Sequence, residues 1–378
     1  MKVVIAIDSF KGSMNSLEAG EAAKSGVLRA VPDAEVVVKP LADGGEGTTD
    51  ALIQGMHGQR ISIEVTGPMG EAVTAEYGIL EDGVTAVMEM AQAAGITKVP
   101  TAQRNPLQAT TYGVGEMIKD AIIRGCREFL IGIGGSATND AGLGMLKALG
   151  FCFFDKKGEK VGEGAAELER VCMIQTDNVL SELSECSFRV ACDVTNPLCG
   201  KQGATYIYGL QKGLKEEMLE SVDKGMEHFA EVAERHFGGS FQNVPGAGAA
   251  GGLGFAFLTF LNGKLMPGVD MILNAIHLEE VLKDTDFVIT GEGHIDGQTA
   301  MGKAPVGVAR LAKKHGCTVL AFAGGVGKDA LLCHEAGIDA IFPIVRGVVS
   351  LKEAMRCEVA KENMTRAVEQ VFRVIRRI

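Results

Sequence analysis

Met1-Lys2-Val3-Val4-Ile5-Ala6-Ile7-Asp8-Ser9-Phe10-Lys11-Gly12 opens the chain. Its apolar run, Val3 to Ile7, is β-branched and stops at turn-forming residues, so it reads as a buried strand. It is too short for a signal-peptide core, and Asp8 stands where a cleavage site would fall. A helix-period segment from Ser16 to Val31 follows and is stopped by Pro32. A second short strand, Val36 to Lys39, leads into Pro40 and a glycine-rich turn, and residues 48–56 suit another helix. The carboxyl end repeats the alternation: strands at Phe287 to Thr290, Thr318 to Ala323 and Ala340 to Ile344, and helices near 304–315, 330–336 and 351–375. Five near-continuous apolar strands, each followed by a helix, require a parallel sheet covered on both faces. The expected fold is α/β, a flavodoxin-like doubly wound parallel sheet.

The two halves of this sheet are separated by a segment of different character. Ala72 to Leu80 and Val84 to Met90 are adjacent strand-like runs joined by Glu81-Asp82-Gly83, and Asp-Gly is a hairpin signal. An antiparallel hairpin does not belong inside a five-strand parallel unit, so residues 61–283 are expected to form an inserted second α/β domain. Residues 1–60 plus 284–378 then make the flavodoxin-like domain, with the active site expected in the cleft between the two.

The chain has 378 residues, 46% apolar and 22% charged, with a net charge of −11. Such a surface repels phosphate backbones and anionic membranes, which argues against a nucleic acid or membrane partner. The longest apolar stretch, Leu253 to Leu261, contains Thr259 and falls well short of a membrane helix. Nine cysteines without a Cys-x-x-Cys pair suit reduced thiols, Cys192 and Cys317 sitting in apolar runs, and the expected location is cytoplasmic. The 50 glycines are about twice the usual share.

Those glycines gather where strands end. Asp8 to Ser13, Ala42-Asp43-Gly44-Gly45-Glu46-Gly47, Gly291-Glu292-Gly293-His294-Ile295-Asp296-Gly297 and Ala323 to Lys328 each follow a predicted strand. In open α/β sheets ligands bind at those carboxyl ends, where free N–H groups face anions. The middle segment adds Gly132-Ile133-Gly134-Gly135-Ser136-Ala137-Thr138-Asn139-Asp140, Ala191-Cys192-Asp193-Val194-Thr195-Asn196-Pro197 and Pro245 to Gly254. Gly246, Gly248 and Gly251 match the dinucleotide fingerprint, but no apolar strand precedes them. Gly297, Gly302 and Lys303 match a P-loop, yet Ala304 replaces the Mg²⁺-binding hydroxyl residue, leaving Lys303 as a phosphate contact. Asp8, Asp43, Asp193 and Asp296 lie at or near strand ends, where a carboxylate holds Mg²⁺, accepts a proton or simply caps a helix. Beside Lys11 and Lys303 they point to phosphoryl transfer. The histidines show no metal spacing, and Met14, Met56 and Met301 read as gap-filling side chains.

Taken together, in this order and across nearly the whole chain, the motifs resemble the bacterial glycerate kinases that phosphorylate D-glycerate with ATP. The resemblance implies a flavodoxin-like domain interrupted by a second α/β domain, ATP and Mg²⁺ as phosphoryl donor and cofactor, D-glycerate as the small-molecule substrate, and a phosphoglycerate product, with 2-phosphoglycerate favoured over 3-phosphoglycerate. It departs from the family at His294, where members often carry Arg, whose guanidinium holds an anion bidentately. Asp296 is the expected base, with Asp193 as second candidate or as the metal carboxylate. Lys11 is expected to act in catalysis and Lys303 to balance charge on phosphate or on the substrate carboxylate. Ser9, Asp43, Gly44, Gly45, Glu292, His294, Gly134, Gly135, Ser136 and Asn139 are the remaining substrate- or phosphate-binding candidates. A nicotinamide-dependent hydroxy-acid oxidoreductase and a non-catalytic sensor are the competing readings: the first lacks a strand before its fingerprint, the second an effector module.

Overall fold

A computed structural model describes residues 1–45 and 47–377; Glu46, inside the Ala42–Gly47 motif, and Ile378 lie outside the described residues. The strands are, in chain order, β1 (Lys2–Ile7), β2 (Glu35–Pro40), β3 (Gln59–Thr66), β4 (Ala72–Ile79), β5 (Thr85–Glu89), β6 (Glu128–Gly132), β7 (Cys152–Phe154), β8 (Met173–Gln175), β9 (Ser187–Ala191), β10 (Lys264–Met266), β11 (Phe287–Ile295), β12 (Thr318–Val326) and β13 (Ala340–Pro343). The chain divides into two compact units, residues 1–57 with 269–378, and residues 58–268.

The first unit is a five-stranded sheet in the order β13-β12-β11-β1-β2, every pair parallel. In order of appearance within this unit that is the flavodoxin arrangement, whose switch point lies between its first and third strands, here β1 and β11. Helix Ser16–Ala30 starts at Asn15, which forms a capping box with Glu18. Its glycines let it approach its neighbours: a Cβ on Gly20 would stand 2.5 Å from Val38 Cγ1, and one on Gly26 would stand 2.4 Å from the Thr365 carbonyl of helix Cys357–Ile375. Val3, Ile5, Ile7, Val27, Met364 and Phe372 are among the side chains fully closed into this core.

The second unit carries a six-stranded sheet, β10-β9-β6-β5-β4-β3, in which β3, β4 and β5 run antiparallel and the rest parallel. The Asp82-Gly83 hairpin has a visible cause. Asp82 accepts the N–H groups of Val84 and Thr85 and the Thr85 hydroxyl, while Gly83 takes φ +71°.

Four features differ from the expectation. The glycine clusters after the third and fourth strands of the first unit are not loops: β11 and β12 pair as far as His294↔Gly325 and Ile295↔Val326. Glycine is what lets the ladder continue, since a Cβ on Gly291 would stand 2.0 Å from the Phe322 carbonyl oxygen. Residues 269–283 cluster with the first unit, Val269 filling the space where Gly307 has no side chain. Met301 fills no gap, being 87% exposed, whereas Met14 is buried. The last helical stretch is also divided, into Leu351–Ala354 and Cys357–Ile375, with Arg356 extended between them.

Candidate active site

At the carboxyl ends of β1 and β11 the chain leaves the sheet on either side of the switch point. Asp8 is the first residue past β1. It stays beside β11, its N–H donating to the Gly291 carbonyl and its carboxylate accepting the Ser9 N–H at 2.6 Å. The following turn closes through Phe10 and Met14, with Gly12 at φ +76°, and presents Lys11 outward. Past β2, Asp43 accepts the Gly45 N–H at 2.9 Å and Gly44 takes φ +88°, so these two glycines shape the turn that holds Asp43.

Two cavities meet here. The larger, about 540 Å³, is lined at one end by Asp8, Ser9, Lys11, Asp43, Glu292, His294 and Lys303. Its other end is apolar, formed by Ile344, Val345, Leu351, Ala354 and Met355. The smaller, about 250 Å³, shares Asp8, Ser9, Lys11 and Asp43 and continues past polar Asn15, Asp50 and Gln54.

Electrostatics single out Asp8. It is only 8% exposed, and burial, aided by the neighbouring charges of Asp43 and Glu292 and opposed by the Ser9 N–H and Lys11, pushes its carboxyl up to about 7. Burial likewise raises Glu292, which accepts the Thr299 hydroxyl at 2.6 Å and is drawn back down by that bond and by Lys303. Lys303 is the N-cap residue of helix Ala304–Lys314, so its ammonium adds to the positive end of an eleven-residue helix.

Asp296 behaves differently. Its carboxylate caps the turn Gly297–Ala300, accepting from Gln298 and Thr299; against the burial effect these N–H groups hold it below the usual carboxylate range. It does not line either cavity.

In the second unit, Asp193 is exposed just past β9 and accepts the Gly268 N–H at 3.0 Å; Gly134 and Gly135 are exposed past β6. Ser136 and Asn139 are buried in the framework. Asn139 Nδ2 donates to Thr205 Oγ1, and Ser136 Oγ accepts from Lys212 Nζ at 2.8 Å. The Pro245–Gly254 cluster is explained by packing: a Cβ on Gly248 or Gly251 would stand 2.1 Å from the carbonyl oxygens of Pro197 and Thr138. No strand precedes it, the nearest upstream element being helix Leu219–Phe237.

Lys212 carries no sequence signal. It is 2% exposed, donates to Ser136 Oγ and the Thr138 carbonyl, and burial pushes its ammonium down to about 7 against the pull of Asp140. An unfolded lysine keeps its ordinary value of 10.5, so between these values the unfolded chain holds a proton that the folded one lacks. Stability therefore rises with pH from about 7 to about 10. Asp140, itself raised by burial, acts in the opposite sense. Urea midpoints across that window check this; a slope unchanged in Lys212→Met would place its origin elsewhere.

A flavodoxin-type sheet whose switch point carries a buried carboxylate, two lysines and a helix N-terminus has the arrangement with which open α/β sheets hold anionic ligands. The model of the glycerate kinase family matches residues 3–376, and the chain belongs to that family. It is 46% identical to the glycerate kinase of Bacillus subtilis (strain 168) over 371 residues, 98% of this chain and 97% of that one. It is 44% identical to the glycerate 2-kinase of Escherichia coli (strain K12) over 367 residues, 97% and 96% of the two chains. A crystal structure described as a glycerate kinase 2 from Salmonella typhimurium LT2 superposes with a TM-score of 0.91 at 41% identity, covering 100% of this chain and 98% of that one.

Proposed function

We propose that the protein transfers the γ-phosphoryl group of Mg²⁺-ATP to D-glycerate, with 2-phosphoglycerate as the product. The observation that carries this reading is the pair of cavities meeting at Asp8 and Lys11, because phosphoryl transfer needs a donor and an acceptor in line with a base and a cation at their junction. The 44% identical E. coli relative, a glycerate 2-kinase by name, supports the choice of carbon 2.

In this reading Asp8 accepts the glycerate hydroxyl proton as the new O–P bond forms and the bond to the ADP oxygen breaks. A carboxyl held near neutrality is matched to that task. Lys11 and Lys303 balance the charge on the transferred group and its leaving oxygens. We assign the base to Asp8 rather than Asp296, since the Asp296 carboxylate is committed to capping its turn.

Among the described residues no group of three His, Cys, Asp or Glu side chains is arranged to hold a metal unaided. Mg²⁺ needs no such cage when phosphate oxygens and waters complete its shell, and the hard carboxylates of Asp43 and Glu292 fit that donor set. Bound there, Mg²⁺ would neutralise phosphate charge. No described helix is long and apolar enough to cross a membrane, and we place the enzyme in the cytoplasm.

The test is an assay of ADP release with Mg²⁺-ATP and D-glycerate, the product being offered to enolase with and without phosphoglycerate mutase. Glycerate-dependent ADP release whose product enolase accepts unaided is the expected result. A mutase requirement would move the phosphate to carbon 3, and no glycerate-dependent release would overturn the substrate.

A further inference from the structure

We propose that the apolar end of the larger cavity, built by the segment that follows β13, is the subsite for the purine base of the nucleotide, leaving the smaller cavity for the three-carbon acid. The inference rests on the phosphoryl-transfer reading of the junction at Asp8 and Lys11.

Size separates the two ligands first. A cavity of about 540 Å³ lies within the range that takes a nucleotide-sized ligand, about 300–1,000 Å³, whereas one of about 250 Å³ lies below it. Chemistry separates them next. Glycerate carries a carboxylate and two hydroxyls on three carbons and gains nothing from an apolar wall. A purine presents two broad π-faces that lose water when they stack on such a wall. Ile344, Val345, Leu351, Ala354 and Met355 offer that wall.

Leu351 points to an occupant. It lines the cavity yet is 75% exposed, an apolar surface that a flat ligand would cover. Met355 links the two ends, because its Cε stands 3.0 Å from where a Cβ of Gly12 would be, so the wall touches the turn that carries Lys11. A base seated there would direct its phosphates along the glycine strands Gly293 and Gly324–Gly325 toward Lys303 and Asp8, all of which line the same cavity. Gly293 leaves that floor open, since even a Cβ there would meet nothing closer than Phe10 Cα at 3.6 Å.

The test uses the full-length protein with Leu351→Ser and Met355→Ala. Calorimetric binding of a non-hydrolysable ATP analogue is measured together with the KM for ATP and for D-glycerate. Both variants are expected to weaken the analogue and raise the ATP KM about 10-fold, with the glycerate KM within about twofold of wild type. A raised glycerate KM with unchanged nucleotide binding would overturn the assignment, as would no change in either. Should wild type bind the analogue and the variants bind it weakly while no glycerate is phosphorylated, the base subsite stands and the substrate reading fails. Leu351 replaces no core contact, so its variant folds even where Met355→Ala does not.

Discussion

Replacing Asp8 by asparagine is expected to lower kcat about 1,000-fold, with the KM for ATP little changed and the melting temperature no lower than wild type. Asparagine keeps the shape and still accepts the Ser9 N–H, so the turn after β1 is retained. What disappears is the proton acceptor. Stability moves the other way because the native carboxyl titrates near 7 and the unfolded one at 3.8. Between those values the folded chain holds a proton the unfolded one has released, so the Asp8 contribution to stability falls as pH rises through the window and is least above it. The variant lacks that loss. Melting scans in EDTA at pH 5 and pH 8 should show a gain for Asp8→Asn that is larger at the higher pH. Asp296→Asn is the control, since asparagine caps a helix turn as well as aspartate does. Near-normal turnover in Asp8→Asn, with turnover lost in Asp296→Asn, would return the base to Asp296.

Lys11→Met is expected to reduce kcat/KM about 100- to 1,000-fold, the usual cost of deleting one group that stabilises developing charge. Lys11 lines both cavities, so its ammonium is available to the transferred phosphoryl group and to the acceptor. Its loss has a second effect. Lys11 is the neighbouring cation that opposes the rise of the Asp8 carboxyl, and without it Asp8 stays protonated to higher pH. The acid limb of kcat/KM should therefore shift upward in Lys11→Met, and Lys11→Arg should restore its position while recovering part of the rate. A loss below about threefold, or an unmoved acid limb, would remove Lys11 from the transfer step.

Much of this architecture is legible in one dimension. β-Branched runs ended by Asp, Gly or Pro mark β1, β2 and the three strands after residue 286 because local burial and turn chemistry act over a few residues. Asn15 with Glu18 starts a helix, and Asp82 with Gly83 closes a hairpin, for the same reason. The glycine motifs likewise point to one sheet edge and, as a set, to the glycerate kinase family.

Position in the sequence is a poor guide to what each glycine and carboxylate does. Gly291 reads as a loop residue, yet it is a strand residue pressed against the Phe322 carbonyl, a contact made across the sheet. The cluster around Gly251 resembles a ligand loop and serves close backbone packing. Asp8 and Asp296 look equivalent, each following an apolar run, but one is closed in beside two other carboxylates and the other caps a turn with its own carboxylate. Lys212 and the wall at Leu351 and Met355 belong to no motif.

The sequence by itself determined the alternation of strand and helix, the interruption by a second α/β unit and the family, because these depend on spacing and on residues that sit together in the chain. Only the tertiary structure decided which strands are neighbours. Lys2 and Asp286, bonded through the Lys2 N–H, are 284 residues apart. That pairing of β1 with β11 creates the switch point, encloses Asp8 with Asp43 and Glu292, and sets the carboxyl whose burial suits it to take a proton, since desolvation and like-charge repulsion arise from what surrounds a group in space.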